Sequence, residues 1–283
     1  MVLVVALIAL LIAGFFAGGA YGASRWARDM RALHARLQAD SVAAPAGIYS
    51  EREIEGLPAP VQRYFRTVLK EGQPIVATVR VSHRGEFNMG DGRERWRPFT
   101  SQQCVTTHEP GFVWDGRIRM GPRVYAYARD VYMVGEGELH AKLLGLITLA
   151  DQRGTPELAS GELLRYLAEA VWYPTALLPS QGVRWERIDA SNARATIEDR
   201  GVTASAQFSF TADGTVSSVW APARHRAVKG LMVRTPWQAH FRHYERRAGI
   251  VIPVDGEVGW HMPEGYRPYW RGHLESISYQ VAA

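Results

Sequence analysis

Cysteine is nearly absent: Cys104 is the only one among 283 residues. No intrachain disulfide can form and no thiolate zinc cluster can assemble. The chain is therefore not a small stapled domain, and its stability must come from a packed core. Cys104 itself falls in a strand pattern with no motif around it and reads as a small packed residue. Lysine is almost as scarce, occurring only at Lys70, Lys142 and Lys229, so arginine carries the net charge of +5. Those arginines alternate with acids along many segments, which describes solvated sheet faces and not a nucleic-acid surface. Catalytic and phosphate signatures are missing as well. There is no G-x-S-x-G and no H-E-x-x-H, and "GEGELH" (135–140) lacks the further glycine and the Lys-Ser/Thr of a phosphate loop. His240 and His243 are three apart, which puts them on opposite faces of a strand, so no metal site and no other cofactor is expected.

One missing feature is positive evidence. Residues 2–21, VLVVALIALLIAGFFAGGAY, contain no charge. Twenty such residues span about 30 Å as a helix, the thickness of a bilayer core. The stretch lacks the basic start of a cleaved signal peptide, so an uncleaved, single-pass anchor in a bacterial inner membrane is expected over residues 1–22, with residues 2–21 in contact with lipid; the alternative is cleavage near Ala20 or Gly22, after small residues. Trp26 is placed to anchor at the interface. Arg25, Arg28, Arg31 and Arg36 follow the span and favour a cytoplasmic domain. Residues 23–50 read as a juxtamembrane helix with Met30, Leu33 and Leu37 on one side, followed by a linker at 41–50. The helix either lies on anionic headgroups or stands as a solvated spacer.

The β-rich globular domain is expected over residues 51–283. "PIVATVRVSHRGEF" alternates, with Ile75, Ala77, Val79 and Val81 on one face. Ten or more such strands recur, with hairpin signals at Asp199-Arg200-Gly201 and Asp213-Gly214. This pattern predicts an α+β fold: a large, curved antiparallel sheet or half-open barrel covered by helices. Two covering helices are expected, one from the apolar "LHAKLLGLITLAD" and one opened by Thr155-Pro156 and stopped by Tyr173-Pro174. In the second, Leu164, Leu167, Ala168 and Val171 form an apolar stripe. The opposite ridge, Glu162, Arg165, Tyr166, Glu169 and Tyr173, forms ordinary ion pairs on a wet face or else points into a cavity.

Five stretches taken together, "LPAPVQRYF" (57–65), "GEF…RWRPFTSQQ" (85–103), "PGFVWDGRI" (110–118), "GEGELHAKLLG" (135–145) and "LLRYLAEAVWYPTALL" (163–178), resemble an uncharacterised bacterial family: a domain of unknown function behind an N-terminal membrane segment. The resemblance covers roughly residues 55–280 and implies no established activity or catalytic residue. More loosely, strands plus covering helices look like the periplasmic lipoprotein-carrier class, whose half-open barrel holds an apolar cavity. That likeness implies a periplasmic domain, against the flanking arginines.

The expected role is binding a lipid or another amphipathic molecule at the membrane, with ligand contacts from Arg165, Glu169, Trp172, Tyr173, Trp114 and Phe112. Arg165 would hold an anionic head group, and the aromatics would line space for an acyl chain. Binding is favoured over catalysis. The alternatives are a hydrolase using Glu169 with a second carboxylate, and a non-catalytic assembly subunit of a membrane complex.

Overall fold

The computed structural model describes residues 1–40, 46–90, 93–228 and 231–282. Half of the expected linker, residues 41–45, lies outside the described residues.

Thirteen strands form one antiparallel sheet. Six come before the covering helix: β1 (Val76–Asn88), β2 (Trp96–Thr106), β3 (Gly111–Gly121), β4 (Val124–Met133), β5 (Glu136–Leu143) and β6 (Ile147–Arg153). Seven come after it: β7 (Arg184–Arg187), β8 (Asn192–Asp199), β9 (Val202–Phe210), β10 (Val216–Val228), β11 (Leu231–Arg247), β12 (Ile250–Met262) and β13 (Gly265–Val281). Each set is a meander, and β1 pairs with β13 at the centre, giving the order β6-β5-β4-β3-β2-β1-β13-β12-β11-β10-β9-β8-β7. The period-two pattern works as expected. In β8, Ala193, Ala195 and Ile197 are buried while their neighbours face outward. The β8–β9 turn takes positive φ at Arg200 and Gly201, the geometry that suits a tight hairpin.

Helix α2 (Ala59–Val68) follows Pro58 and buries Val61, Tyr64, Phe65 and Val68. Helix α3 (Pro156–Glu169) starts where Thr155 and Pro156 predict: the Thr155 hydroxyl accepts from the Leu158 N–H at 3.2 Å. A 3-10 turn over Ala170–Trp172 continues it, and Tyr173-Pro174 ends it. α3 touches β4 and β5 on one side and β9 and β10 on the other, although eight strands separate β5 from β9 in the sheet. The sheet must therefore curl around α3, which fills one end of the trough.

Two expectations need correction. "LHAKLLGLITLAD" is not a helix; it is β5, a turn and β6, with positive φ at Leu144 and Gly145 making the reversal. Its dense leucines hide the period, and nothing in the run separates a buried helix from a half-covered hairpin. The cover is thus α3 and the 3-10 turns after it, not two helices. Residues 23–40 do not stand free as a solvated spacer. They continue α1 (Val2–Asp40) without a break, and Trp26, Met30 and Leu37 pack on the outer face of the sheet against Cys104, Val113, Val131 and Met133. Trp26 is only 3% exposed, and its indole N–H donates to Asp115 Oδ1 at 2.9 Å. It is a docking side chain and not an interface anchor.

Candidate ligand-binding cavity

A cavity of about 380 Å³ lies between α3 and the concave sheet. Its hollow has a local cause in the strand register. Gly116 of β3 faces Ala128 of β4, Ala128 faces Ala141 of β5, and Ala141 faces Ala150 of β6. This row of small residues crosses four strands where larger ones would fill the space. The opposite wall is aromatic: Trp237 and Trp260 are cross-strand partners, and the Trp270 ring lies over Gly256 and Gly272. A Cβ at Gly272 would collide with that ring, so glycine there is required by the indole. Of the 29 lining residues, 21 are apolar or aromatic, which suits a mostly apolar guest.

The charges gather around α3 and on β10, beside the aromatic wall. The α3 ridge points inward, not into water: the Arg165, Glu169 and Glu162 side chains are 13%, 16% and 3% exposed. The solvated-face alternative fails because the sheet curls over both sides of α3. Arg165 Nε donates to Glu169 Oε1 at 2.7 Å, and its Nη1 donates to Asp130 Oδ2. Asp130 lies within β4. Gln103 donates to the other Glu169 oxygen at 2.7 Å. Glu162 does not pair with Arg165 as its spacing suggested; its partner is Arg224 of β10, at 3.3 Å. Arg224 also donates to the Tyr269 hydroxyl at 3.4 Å, which accepts from the Trp237 indole at 3.1 Å. Both guanidiniums sit over aromatic rings, Arg165 at 5.1 Å from Phe112 and from Trp114, Arg224 at 5.4 Å from Trp237.

Burial pushes the Glu162 carboxyl up to about 7, and nearby Asp130 adds to this while Arg224 opposes it. Asp130 is also raised by burial, against the pull of Arg165. Burial works against the Arg165 charge, but the Glu169 and Asp130 carboxylates outweigh it and hold the guanidinium firmly protonated. The second oxygen of Glu162 has no hydrogen-bond partner among the described residues. Behind the aromatic wall, His83 is 2% exposed and neutral: its ring packs 4.6 Å from Trp172, and burial followed by the Arg165 charge lowers its pKa to about 3.

Of the six expected contact residues, Arg165, Glu169, Trp172 and Trp114 line the cavity. Phe112 and Tyr173 do not. Phe112 is fully buried beneath Arg165, and the Tyr173 hydroxyl donates to the Tyr166 carbonyl at 2.9 Å. Asp130 and Arg224 complete the cluster and carried no sequence signal, since each sits singly in a strand far from α3. The alanine row was equally hidden, because only the register aligns it. Among the described residues, no group of three or more His, Cys, Asp or Glu side chains is placed to hold a metal ion.

A curved antiparallel sheet around an apolar, charge-edged cavity defines the class. The chain belongs to the family of unknown function DUF6920, whose model matches residues 55–279. Two solved structures are similar in outline. One is a LolA superfamily protein, NE2245 from Nitrosomonas europaea, with a TM-score of 0.38 and 11% identity, covering 80% of this chain and 94% of that one. The other is a beta-barrel-like protein of domain of unknown function DUF1849 from Brucella abortus, with a TM-score of 0.23 and 11% identity, covering 72% of this chain and 98% of that one. No curated protein matches the sequence.

Proposed function

We propose that the protein is a single-pass membrane protein that binds a lipid or other amphipathic molecule in the cavity under α3. The observation that carries this is a space of about 380 Å³ whose walls are mostly apolar, with charged side chains gathered around α3 and on β10. That volume falls within the range of small-molecule sites, roughly 300–1,000 Å³. α1 supports membrane attachment by length and composition: it is the one described helix long and apolar enough to cross a bilayer. The tail of the guest lies along the alanine row and the facing tryptophans. Its polar part meets the cluster around Arg165 and Arg224. Arg165 is already neutralised by Asp130 and Glu169, so it is a poor receptor for an anion. The free oxygen of Glu162 instead favours a guest that donates a hydrogen bond there.

Native mass spectrometry of the full chain, released from detergent, tests this. The wild type should carry a co-purified lipid or amphiphile. Ala128→Phe combined with Ala141→Phe fills the hollow without removing a contact, so the fold should persist and the adduct should vanish. A wild type with no adduct, or a filled variant with the same adduct, refutes the proposal. A second function rests on Glu162, whose carboxyl titrates near neutrality inside the cavity and suits a general acid. It predicts turnover of fluorogenic acyl esters that Glu162→Gln abolishes. Glu169, the acid expected from sequence, is committed to Arg165 and Gln103.

A further inference from the structure

Every strand pairing is antiparallel, so alternate turns share an end: β1–β2, β3–β4 and β5–β6 on one side of the β1–β13 seam and β12–β13 and β10–β11 on the other. The β8–β9 turn, sixth in that alternation, is carried by the curl of the sheet to Glu109 and Gly135 at the opposite end. α1 leaves the sheet at the end that holds the other five. Gly22 crosses the β5–β6 turn so closely that a Cβ on it would overlap the Leu144 carbonyl oxygen, and a Cβ on Gly145 would overlap the Gly22 carbonyl. Further out, the Phe16 ring lies 5.2 Å from the guanidinium of Arg123 in the β3–β4 turn. The apolar half of α1 therefore projects from the same end as these five turns.

C-terminal to α1, nine large hydrophobic side chains are exposed among the described residues. Five of them are Leu146, Ile147 and Leu149 on the β5–β6 hairpin and Leu231 and Val233 on the β10–β11 hairpin. Single exposed hydrophobics need no explanation, but a cluster at one end does. Leu149 lines the cavity from one side, and Met232, between Leu231 and Val233, lines it from the other. The two hairpins are thus apolar lips on either side of the mouth. Around them, among the described residues, Arg93, Arg95, Arg119, Arg123, Arg234 and Arg267 are exposed, against the exposed acids Glu94 and Glu264.

We infer that this end docks into the headgroup–acyl boundary of the bilayer that α1 spans. The lips sink into the acyl region, the arginines meet phosphates, and the mouth opens onto lipid. An acyl chain then enters the cavity from the bilayer without crossing water. The route of entry rests on the lipid-binding function proposed above; the docking face does not.

The test uses the full chain reconstituted in phosphatidylcholine–phosphatidylglycerol vesicles. A polarity-sensitive fluorophore is attached in turn to Ile147→Cys, Leu231→Cys and Ala212→Cys, on a Cys104→Ser background; Ala212 is exposed at the opposite end, in the β9–β10 turn. Lipids carrying a spin label in the acyl chain should quench the probes at 147 and 231 several-fold more than the probe at 212. Pairing Ile147→Glu with Val233→Glu should abolish the quenching at 231. Equal, weak quenching at all three sites overturns the docking face. Lipid is extracted from the same samples: adducts with aqueous probes refute docking and leave the cavity function standing, whereas quenched lips without adducts support docking and refute the cavity function.

Discussion

Arg165→Met is the sharpest test of the charged cluster. The substitution keeps an unbranched apolar stem over Phe112 and Trp114 and removes the cation from Asp130 and Glu169. All three side chains are less than a fifth exposed, so water cannot screen the loss. Removing one partner of a buried pair typically costs about 3–5 kcal/mol. Loss of the two cation–π contacts adds on the order of 1 kcal/mol. Against a total stability of about 5–15 kcal/mol, that is a severe loss. At roughly 2–4 °C per kcal/mol for a chain of this size, the melting point should fall on the order of 10 °C. The loss should also depend on pH. Burial already raises Asp130, and without Arg165 its pKa rises further. A folded-state carboxyl above its unfolded value binds an extra proton, so stability falls as pH rises through that window. The deficit of the variant should be larger at pH 8 than at pH 5. Circular dichroism melts in detergent at both pH values measure this. Replacing Asp130 and Glu169 by Leu in the same variant should recover much of the loss, because an apolar core tolerates what an unpaired charge does not. A deficit under about 1 kcal/mol, within the range of exposed pairs, or one equal at both pH values, refutes a dry, coupled ion cluster.

Glu162 gives a second pH signature. Its folded pKa of about 7 lies above its ordinary 4.5, so native protein keeps an extra proton between those values and loses stability as pH rises across them. Urea unfolding of wild type from pH 4 to pH 8 should show that downward trend, and Glu162→Gln should flatten it. Trp26→Phe leaves Asp115, whose pKa burial raises, without the indole donor. It should destabilise the domain by about 1–3 kcal/mol in thermal melts, whereas a merely membrane-facing tryptophan would leave them unchanged. Gly22→Val should push α1 off the β5–β6 turn. A short bifunctional thiol crosslinker should join Gly18→Cys to Leu146→Cys, positions whose side chains meet, without that substitution and fail with it.

Local chemistry made much of this fold legible. Period-two alternation located most strands, the Thr155-Pro156 cap started α3, and Tyr173-Pro174 ended it. The charge-free residues 2–21 marked the apolar helix. What stayed hidden depends on tertiary contact. The apolar run 139–151 is a hairpin because β4 pairs with it, a fact absent from its own residues. The α3 ridge is buried because sheet covers both faces of the helix, whereas amphipathic spacing assumes one wet side. Asp130, Arg224 and the alanine row become a site only once the register aligns them, and no pattern within a single segment carries that information.

The pairing of β1 with β13 has a consequence for synthesis. Residues 76–88 lie near the middle of the sheet, yet one of their two hydrogen-bonding partners is made much later, at residues 265–281. Until that strand has emerged, β1 is left as a raw edge, and such edges invite pairing with other chains. Closure spans nearly two hundred residues, which should make folding slow. A stop codon that removes only the final strand should therefore leave two unjoined half-sheets, prone to aggregation, rather than a slightly shortened protein.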